Sequence, residues 1–438
     1  MFSVLKEDLK AFRQGLKGQD LIFYLGLTFI VLYYLRPQVI IPGLDIIPWL
    51  QITIIVGFLA MIRHSRLKFT RTHLLVFLFA TLAWLSAMNS LYPYISSQGM
   101  SAPFIFALEV LFLSNCVRNV KQLQLLLIVF FLCIFKMSFF GARVWAGRGF
   151  GFTEWGIQGP PGFFQNSGEF SLLMAISAVM SIPLILYMKS KAKIYWLLPL
   201  TAIMTVMGAS SRGGQLALLV GVIYLLLVYK KISVRYLLYT TVLLAVVWTF
   251  LPEAQKARFE TAGSDQTSTA RLNYWEAGID MAQNHPLLGV GFRTFPEHYH
   301  RYYKESDGSY LLNRKEVAHN SLIEVVATLG IPALILYVMF HLSVFSGRSL
   351  FKKNKDSEAD LVFLESFRVS LNGAVLTYFA GAFFMSLAFY PFIYFLMAMA
   401  IIRVRFTRER ERKVRVQNRT FRANPLRRGT FKSTNRPT

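Results

Sequence analysis

Runs of about 20 apolar residues recur along this chain, and no other feature restricts its fold as much. Lipid offers backbone N–H and C=O groups no partners, so runs of that length form helices that bond internally and cross a hydrocarbon core about 30 Å thick. Twelve runs start at roughly Leu21, Ile46, Leu74, Ser101, Leu125, Gly168, Ile194, Gln215, Val234, Ser321, Leu364 and Leu387. The predicted fold is therefore all-α, a polytopic membrane helical bundle of about 12 transmembrane helices. The last two runs share residues 361–402, which hold two helices only if the turn near Ser386 is tight. Arg36-Pro37 follows the first run with no small-residue cleavage site, so that run reads as a retained anchor. No helical-array repeat is present, nor the similarity between halves that marks many transporters.

Charge gives the direction of crossing. The formal net charge is +24, which in a soluble chain would suggest nucleic acid. Here only 16% of residues are charged, and the bases sit in alternate loops. Arg63, Arg66, Lys68 and Arg71 follow span two, Arg118 and Lys121 span four, Lys189, Lys191 and Lys193 span six, Lys230, Lys231 and Arg235 span eight, and Arg348, Lys352, Lys353 and Lys355 span ten. Basic loops stay on the cytoplasmic side, so an even number of spans with both termini inside satisfies every loop. The excess is an orientation signal, and no nucleic-acid partner is expected. This divides the chain into a cytoplasmic N-terminus (1–20), spans one to nine (21–251), a large outer loop (252–318), spans ten to twelve (319–402) and a basic cytoplasmic tail (403–438). The tail is expected to be disordered and held to anionic lipid heads. Cys116 and Cys133 both lie in apolar runs and offer no disulfide framework or cysteine zinc site.

Three outward segments stand out. Residues 141–168 are rich in glycine and aromatics, include Pro160-Pro161, and read as a structured loop. Ser210-Ser211-Arg212-Gly213-Gly214 is a short turn between spans seven and eight. In the large loop, Leu272, Trp275, Ile279 and Ala282 fall near helical spacing, after Ser268 and Thr269 as caps and before Asn284-His285-Pro286. That pattern predicts an amphipathic helix lying on the outer membrane surface or against the bundle, or else one that merely packs on its own loop.

Arg212 begins span eight, His319 begins span ten, and Arg271 lies near the start of the loop helix. Charge at that depth is costly and is kept for a purpose or by snorkelling. Two arginines beside two helix N-termini would suit an anion, and a polyprenyl diphosphate places its head there. A histidine close to neutrality in pKa suits deprotonation of an attacking hydroxyl. The chemistry suggested is glycosyl transfer with diphosphate as leaving group.

At these residues the chain resembles the O-antigen ligase and polymerase superfamily. Ser211-Arg212-Gly213-Gly214-Gln215-Leu216 resembles its Ser-Arg-Gly start and Arg-x3-Leu spacing. Thr269 to Trp275 and Asn284 to Phe292 resemble its large periplasmic loop, His319-Asn320-Ser321 with Gly330 its His-x10-Gly pattern, and Gly162 to Asn166 its Gly-x-Phe-x-Asn element. The resemblance implies a metal-independent, inverting glycosyltransferase of the bacterial inner membrane that needs no cofactor. It would move a glycan from undecaprenyl diphosphate to lipid A core, a growing polysaccharide or a protein hydroxyl on the periplasmic side. Arg212 and Arg271 would hold the diphosphate and His319 would orient or deprotonate the acceptor. Arg143, Arg148, Asn166 and Asn320 are further candidates for substrate contacts.

Two other classes stay open. A transporter or flippase of lipid-linked sugars would also use many spans and a polar cavity, though its site belongs near the midplane. A metal-dependent transferase would draw on outer acids such as Asp45. His298 and His300 near Glu297 read as loop surface more than as a metal cluster. Glu109 and Lys136 lie inside spans four and five, and an ion pair between them is expected. Arg293 in the large loop has an exposed reading as good as a functional one.

Overall fold

The computed structural model describes residues 2–153, 156–188, 193–229, 249, 256, 266–303, 315–345 and 359–423, and among them there is no strand. In chain order the helices are α1 (Phe2–Leu16), α2 (Leu21–Tyr34), α3 (Pro37–Ile40), α4 (Trp49–Arg63), α5 (Arg71–Met88), α6 (Pro93–Ser97), α7 (Ala102–Cys116), α8 (Val120–Gly147), α9 (Ser167–Met188), α10 (Leu197–Gly208) and α11 (Arg212–Val228). They continue as α12 (Gln266–Asn284), α13 (Phe295–Tyr302), α14 (Ser321–Leu329), α15 (Ile331–Val344), α16 (Ala359–Ala382) and α17 (Pro391–Ala423).

Among the described residues, four helices can by length and composition cross a membrane: α5, the stretch Pro93–Cys116 that ends in α7, α8 and α9. Shorter apolar helices include α2, α4, α11 and α15. This is a multi-pass membrane protein. Helices stand at the predicted starts with one exception, the ninth run from Val234, which lies outside the described residues. Residues 361–402 do hold two helices, joined through 383–390. At the centre stands α9, buried along nearly its whole length and packed on α16, α10 and α11. Close approach there uses small residues: a Cβ on Gly221 of α11 would lie 2.2 Å from Thr377 Oγ1 of α16 and 2.5 Å from Val179 of α9.

The segments predicted to share the basic face meet at one end of the bundle. Asp20 accepts from Phe23 N–H at the start of α2 and pairs with Arg66 (3.0 Å), which follows α4, and Arg118 (3.5 Å), which follows α7. Arg405 of α17 donates to Ser114 O (3.0 Å) and Val117 O, Arg410 pairs with Asp360, and Tyr195 donates to Asp8. We call this the basic end and the opposite one the loop end.

Four expectations are corrected. The tenth run is not one helix: it breaks at Gly330, between α14 and α15. Gly330 has φ +85°, and a Cβ there would lie 2.4 Å from Leu287 O, so a side chain is excluded both by conformation and by the returning loop. The tail is helical at first, because α17 runs past 402 to Ala423; residues 424–438 lie outside the described ones. Glu109 is not paired with Lys136. It is 1% exposed in the core and accepts from Tyr33 Oη (3.0 Å), while Lys136 is exposed on the other side of α8, where its long stem can carry the charge along apolar surface.

The fourth concerns the loop helix α12. Its buried face is Ala270, Tyr274, Ala277 and Met281, which joins Val290, Phe295, Ala318 and Ala327 in a separate apolar cluster. Leu272 and Ile279 of the predicted stripe are exposed. The helix carries two apolar stripes, and the one with smaller residues makes the closer contact with α14.

Candidate functional site

The site is built where four distant segments reach residues 383–390 at the loop end. Ser321, the first residue of α14, donates through Oγ to Met385 O (2.7 Å) and accepts from Leu387 N–H (2.8 Å). Two glycines let α9 and α11 come up to the same methionine. A Cβ on Gly213 would lie 3.1 Å from Met385 Cε, and one on Gly168 would lie 3.5 Å from both Met385 Cε and Ser211 Oγ. The fourth segment is α12, whose Trp275 packs its ring on Phe383 at 5.3 Å. Residues 383–390 thus touch the starts of α9, α11 and α14 and the helix that carries Arg271.

Each start has a local cause. Ser211 caps α11 by accepting from Gly214 N–H (3.3 Å), which leaves Arg212 in the first turn with amide groups that no later turn can use. Asn320 caps α14 through Oδ1, which accepts from Leu322 N–H (2.9 Å) and Ile323 N–H (3.2 Å). The Leu322 and Ile323 amides at the start of α14 are thereby taken by Asn320. Asn166 accepts from Gly168 N–H (2.8 Å) in a local turn before α9.

The other end of α14 is finished from outside. Val290 N–H donates to Ala327 O (2.9 Å), and Gly291 N–H (3.2 Å) and Ser86 Oγ (2.7 Å) donate to Thr328 O. These carbonyls have no partner within a helix that stops at Leu329. The Gly-x-Gly segment of the large loop is thus a backbone clamp between α5 and α14. At Gly291 (φ +128°) a Cβ would meet Ser90 Oγ at 2.0 Å.

His319 stands just before Asn320 with φ +50° and a partly exposed side chain. Its Nε2 lies 3.3 Å from Glu316 Oε2, and its ring lies 6.4 Å from that of Tyr274. A neutral imidazole that donates Nε2–H to Glu316 presents Nδ1 as an acceptor, the arrangement a general base needs. Tyr274 is three residues beyond Arg271 on α12, and Trp275 Nε1–H donates to Ala318 O (3.1 Å), so the Arg271 helix is fastened beside His319. Arg212, Arg271 and His319 therefore lie on segments that share one anchoring loop.

The remaining candidates stand differently. Arg143 lies along Phe140 and Arg148 lies 3.5 Å from Thr153 Oγ1; both are exposed near the end of α8, and neither contact reaches α11 or α14. Arg293 is exposed and donates to Gln98 O (3.3 Å). Glu297 is held by Lys315 (2.6 Å), and His298 packs among His285, Tyr92 and Tyr302. Burial and the neighbouring His285 push His298 down to about 4. An apolar groove of about 410 Å³ lies apart from all of these, between α2 and α4, with too few polar groups for chemistry.

Sequence reasoning missed three carboxylates. Glu316 has a legible signal in its place three residues before His319. Glu324 on α14 and Glu169 on α9 resemble ordinary first-turn acids in sequence, yet the fold brings them within electrostatic range of each other.

Fold and site together define a many-helix membrane bundle with a polar site at one end. Residues 197–338 match the family model described as O-antigen ligase, a span that includes Arg212, Arg271 and His319. The exopolysaccharide production protein ExoQ of Rhizobium meliloti (strain 1021) is 30% identical over 105 residues, which is 23% of this chain and 24% of that protein. Through this segment the chain is similar to the O-antigen ligase-like superfamily. The match spans about a quarter of the curated relative's length.

Proposed function

We propose that this chain is a membrane glycosyltransferase of the O-antigen ligase or polymerase type. The donor is a glycan on undecaprenyl diphosphate, and the acceptor is a hydroxyl of lipid A core, of a growing polysaccharide or of a protein. The loop end faces the periplasm, and the basic end, with both termini, faces the cytoplasm. Arg212 and Arg271 hold the diphosphate and neutralise the charge that grows as it leaves. His319, oriented by Glu316, takes the proton from the acceptor hydroxyl. The acceptor oxygen attacks the anomeric carbon from the face opposite the diphosphate, the glycosidic bond forms as the C–O bond to diphosphate breaks, and configuration inverts. The lipid keeps both phosphates, and the proton passes from His319 to water.

One observation carries this reading: three residues distant in sequence, one suited to a base and two to an anion, stand on segments fastened to the same short loop. The match to the O-antigen ligase family and the likeness to an exopolysaccharide production protein support it. The test is reconstitution in liposomes with lipid-linked glycan extracted from cells lacking the gene, together with their acceptor fraction. Coupling without a transmembrane gradient and in excess chelator is expected. Movement of lipid-linked glycan with no new glycosidic bond would leave a transporter in its place. A ladder of lengths on the carrier lipid would indicate polymerisation, and a single glycan on lipid A core or protein would indicate ligation.

A further inference from the structure

Helices α2 and α4 leave a space between them that no side chain fills. This groove, about 410 Å³ in volume, is lined by Leu25, Thr28 and Leu32 on one side and by Ile52, Thr53 and Val56 on the other. From Leu25 to Leu32 it follows α2 for about 10 Å at 1.5 Å per residue, a large part of the hydrocarbon of one leaflet. Ile52 and Val56 are 41% and 39% exposed, so the groove opens sideways from the bundle. Thr53 gives its hydroxyl proton to Trp49 O (2.7 Å) and adds no free donor to the lining. The space suits one hydrocarbon chain that enters from the bilayer.

Apart from the two threonines, polar groups gather at one end of it. A second cavity of about 160 Å³ adjoins the groove at the loop end: Gln38 and Trp49 line both, and Arg36 and Asp45 line the second. Trp49 Nε1–H donates to Leu44 O (2.8 Å), which fixes its ring in the neck, and tryptophan favours the depth where hydrocarbon gives way to head groups. Arg36 Nη1–H donates to Pro161 O (2.5 Å) and the guanidinium lies 5.9 Å from the centre of the Phe163 ring; its other N–H groups have no hydrogen-bond partner among the described residues. Gln38 is 8% exposed. Its Nε2–H donates to Leu32 O (2.9 Å), which decides how the amide is turned and leaves Oε1 buried in the wall without a partner.

These groups narrow the ligand. Arg36 has protons to give and a positive charge, Gln38 Oε1 only accepts, and Asp45 is an exposed carboxylate at the rim. Free phosphate and a polyprenyl phosphate answer Arg36 and leave Gln38 unmet. A phosphocholine head brings a cation without an N–H. A phosphoglycerol head brings hydroxyl donors and leaves Asp45 without a cation. A phosphoethanolamine head has a phosphate for Arg36 and, one short link away, an ammonium whose N–H groups serve Gln38 and whose charge faces Asp45.

We infer that the two cavities form one seat for a phospholipid of the phosphatidylethanolamine class. The phosphate lies on Arg36, the ammonium lies at Gln38 and Asp45, and one acyl chain fills the groove between α2 and α4. The seat is separate from residues 383–390, and it stands or falls independently of the transferase reading.

Native mass spectrometry of the full chain in detergent, titrated with lipids of identical acyl chains, tests it through the first lipid bound. Wild type is expected to bind phosphatidylethanolamine at least tenfold more tightly than phosphatidylcholine, phosphatidylglycerol or a polyprenyl monophosphate. Val56→Trp, which fills the groove, should lower that affinity at least tenfold. Gln38→Leu should do the same and bring phosphatidylethanolamine and phosphatidylcholine within twofold of each other. If Gln38→Leu fails to fold for want of its bond to Leu32 O, Val56→Trp, altered at an exposed position, carries the test alone. Equal binding of phosphatidylethanolamine and phosphatidylcholine by wild type overturns the inference, as does undiminished binding by Val56→Trp. Preference for phosphatidylglycerol would mean a site for anionic heads, and preference for the polyprenyl phosphate a seat for the carrier lipid; either overturns it too.

Discussion

The two ends of the bundle handle polar groups in opposite ways. At the basic end, charges that come from different helices are spent on one another: Asp20 on Arg66 and Arg118, Asp360 on Arg410, and Arg405 on the carbonyls that end α7. At the loop end, helix starts are fastened by backbone and hydroxyl bonds around residues 383–390, and carboxylate and hydroxyl oxygens stay unmet. Of the six non-glycine residues at positive φ among the described residues, Arg36, Phe150, Ser210, Arg293 and His319 lie at the loop end and Ser65 at the basic end. Backbone strain concentrates where a fold is shaped for something besides its own stability.

Substitutions can break that contrast. The largest effect is expected at the loop end, where His319→Ala or Arg212→Ala should lower transfer by at least about 100-fold, with abundance and melting temperature unchanged. The basic-end counterpart, Arg66→Ala, should lower the melting temperature and leave turnover per folded molecule intact. Loss of turnover there would erase the distinction between the ends.

Next comes Gly330→Ala, which forces a Cβ toward Leu287 O at positive φ. It should cost about 2 kcal/mol in stability, read as earlier denaturant unfolding, with protection from hydrogen exchange lost first in 286–291. Glu316→Ala should reduce kcat about tenfold, the scale of losing an orienting partner, with both KM values unchanged. A change in KM alone would give Glu316 a binding role.

The smallest effect is Asp20→Asn, about 1 kcal/mol near neutral pH. Burial raises the Asp20 carboxyl, but Phe23 N–H, Arg66 and Arg118 outweigh it and hold the group below its ordinary 3.8. A carboxyl depressed by folding contributes stability above the unfolded value and loses it as pH falls through the folded one. Melting curves of wild type and variant should therefore differ at pH 7 and converge in strong acid. A constant gap at all pH values would mean that lost packing, not charge, is the cause.

Helix placement was legible because burial in lipid leaves a long apolar run few alternatives, and the alternation of Lys and Arg grouped segments that do meet at one end. What escaped were features set by partners distant in sequence. The break at Gly330 is imposed by Leu287, and nothing within Ser321–Val344 apart from the glycine and Pro332 announces it. The buried face of α12 runs through Ala270 and Ala277 because α14 comes close, while hydrophobicity alone selects Leu272 and Ile279. Arg212, Arg271 and His319 were legible as residue types at boundary depth. Glu324 and Glu169 were not, since a first-turn acid on a helix has an ordinary reading and only the fold brings the two within electrostatic range.

The anchoring loop also bears on how the protein is made. Residues 383–390 are threaded into the membrane after Arg212, Arg271 and His319 have already been placed, yet they hold the segments that carry all three. A growing chain therefore carries each candidate residue for some time without having a site, and the final helix pair closes the assembly.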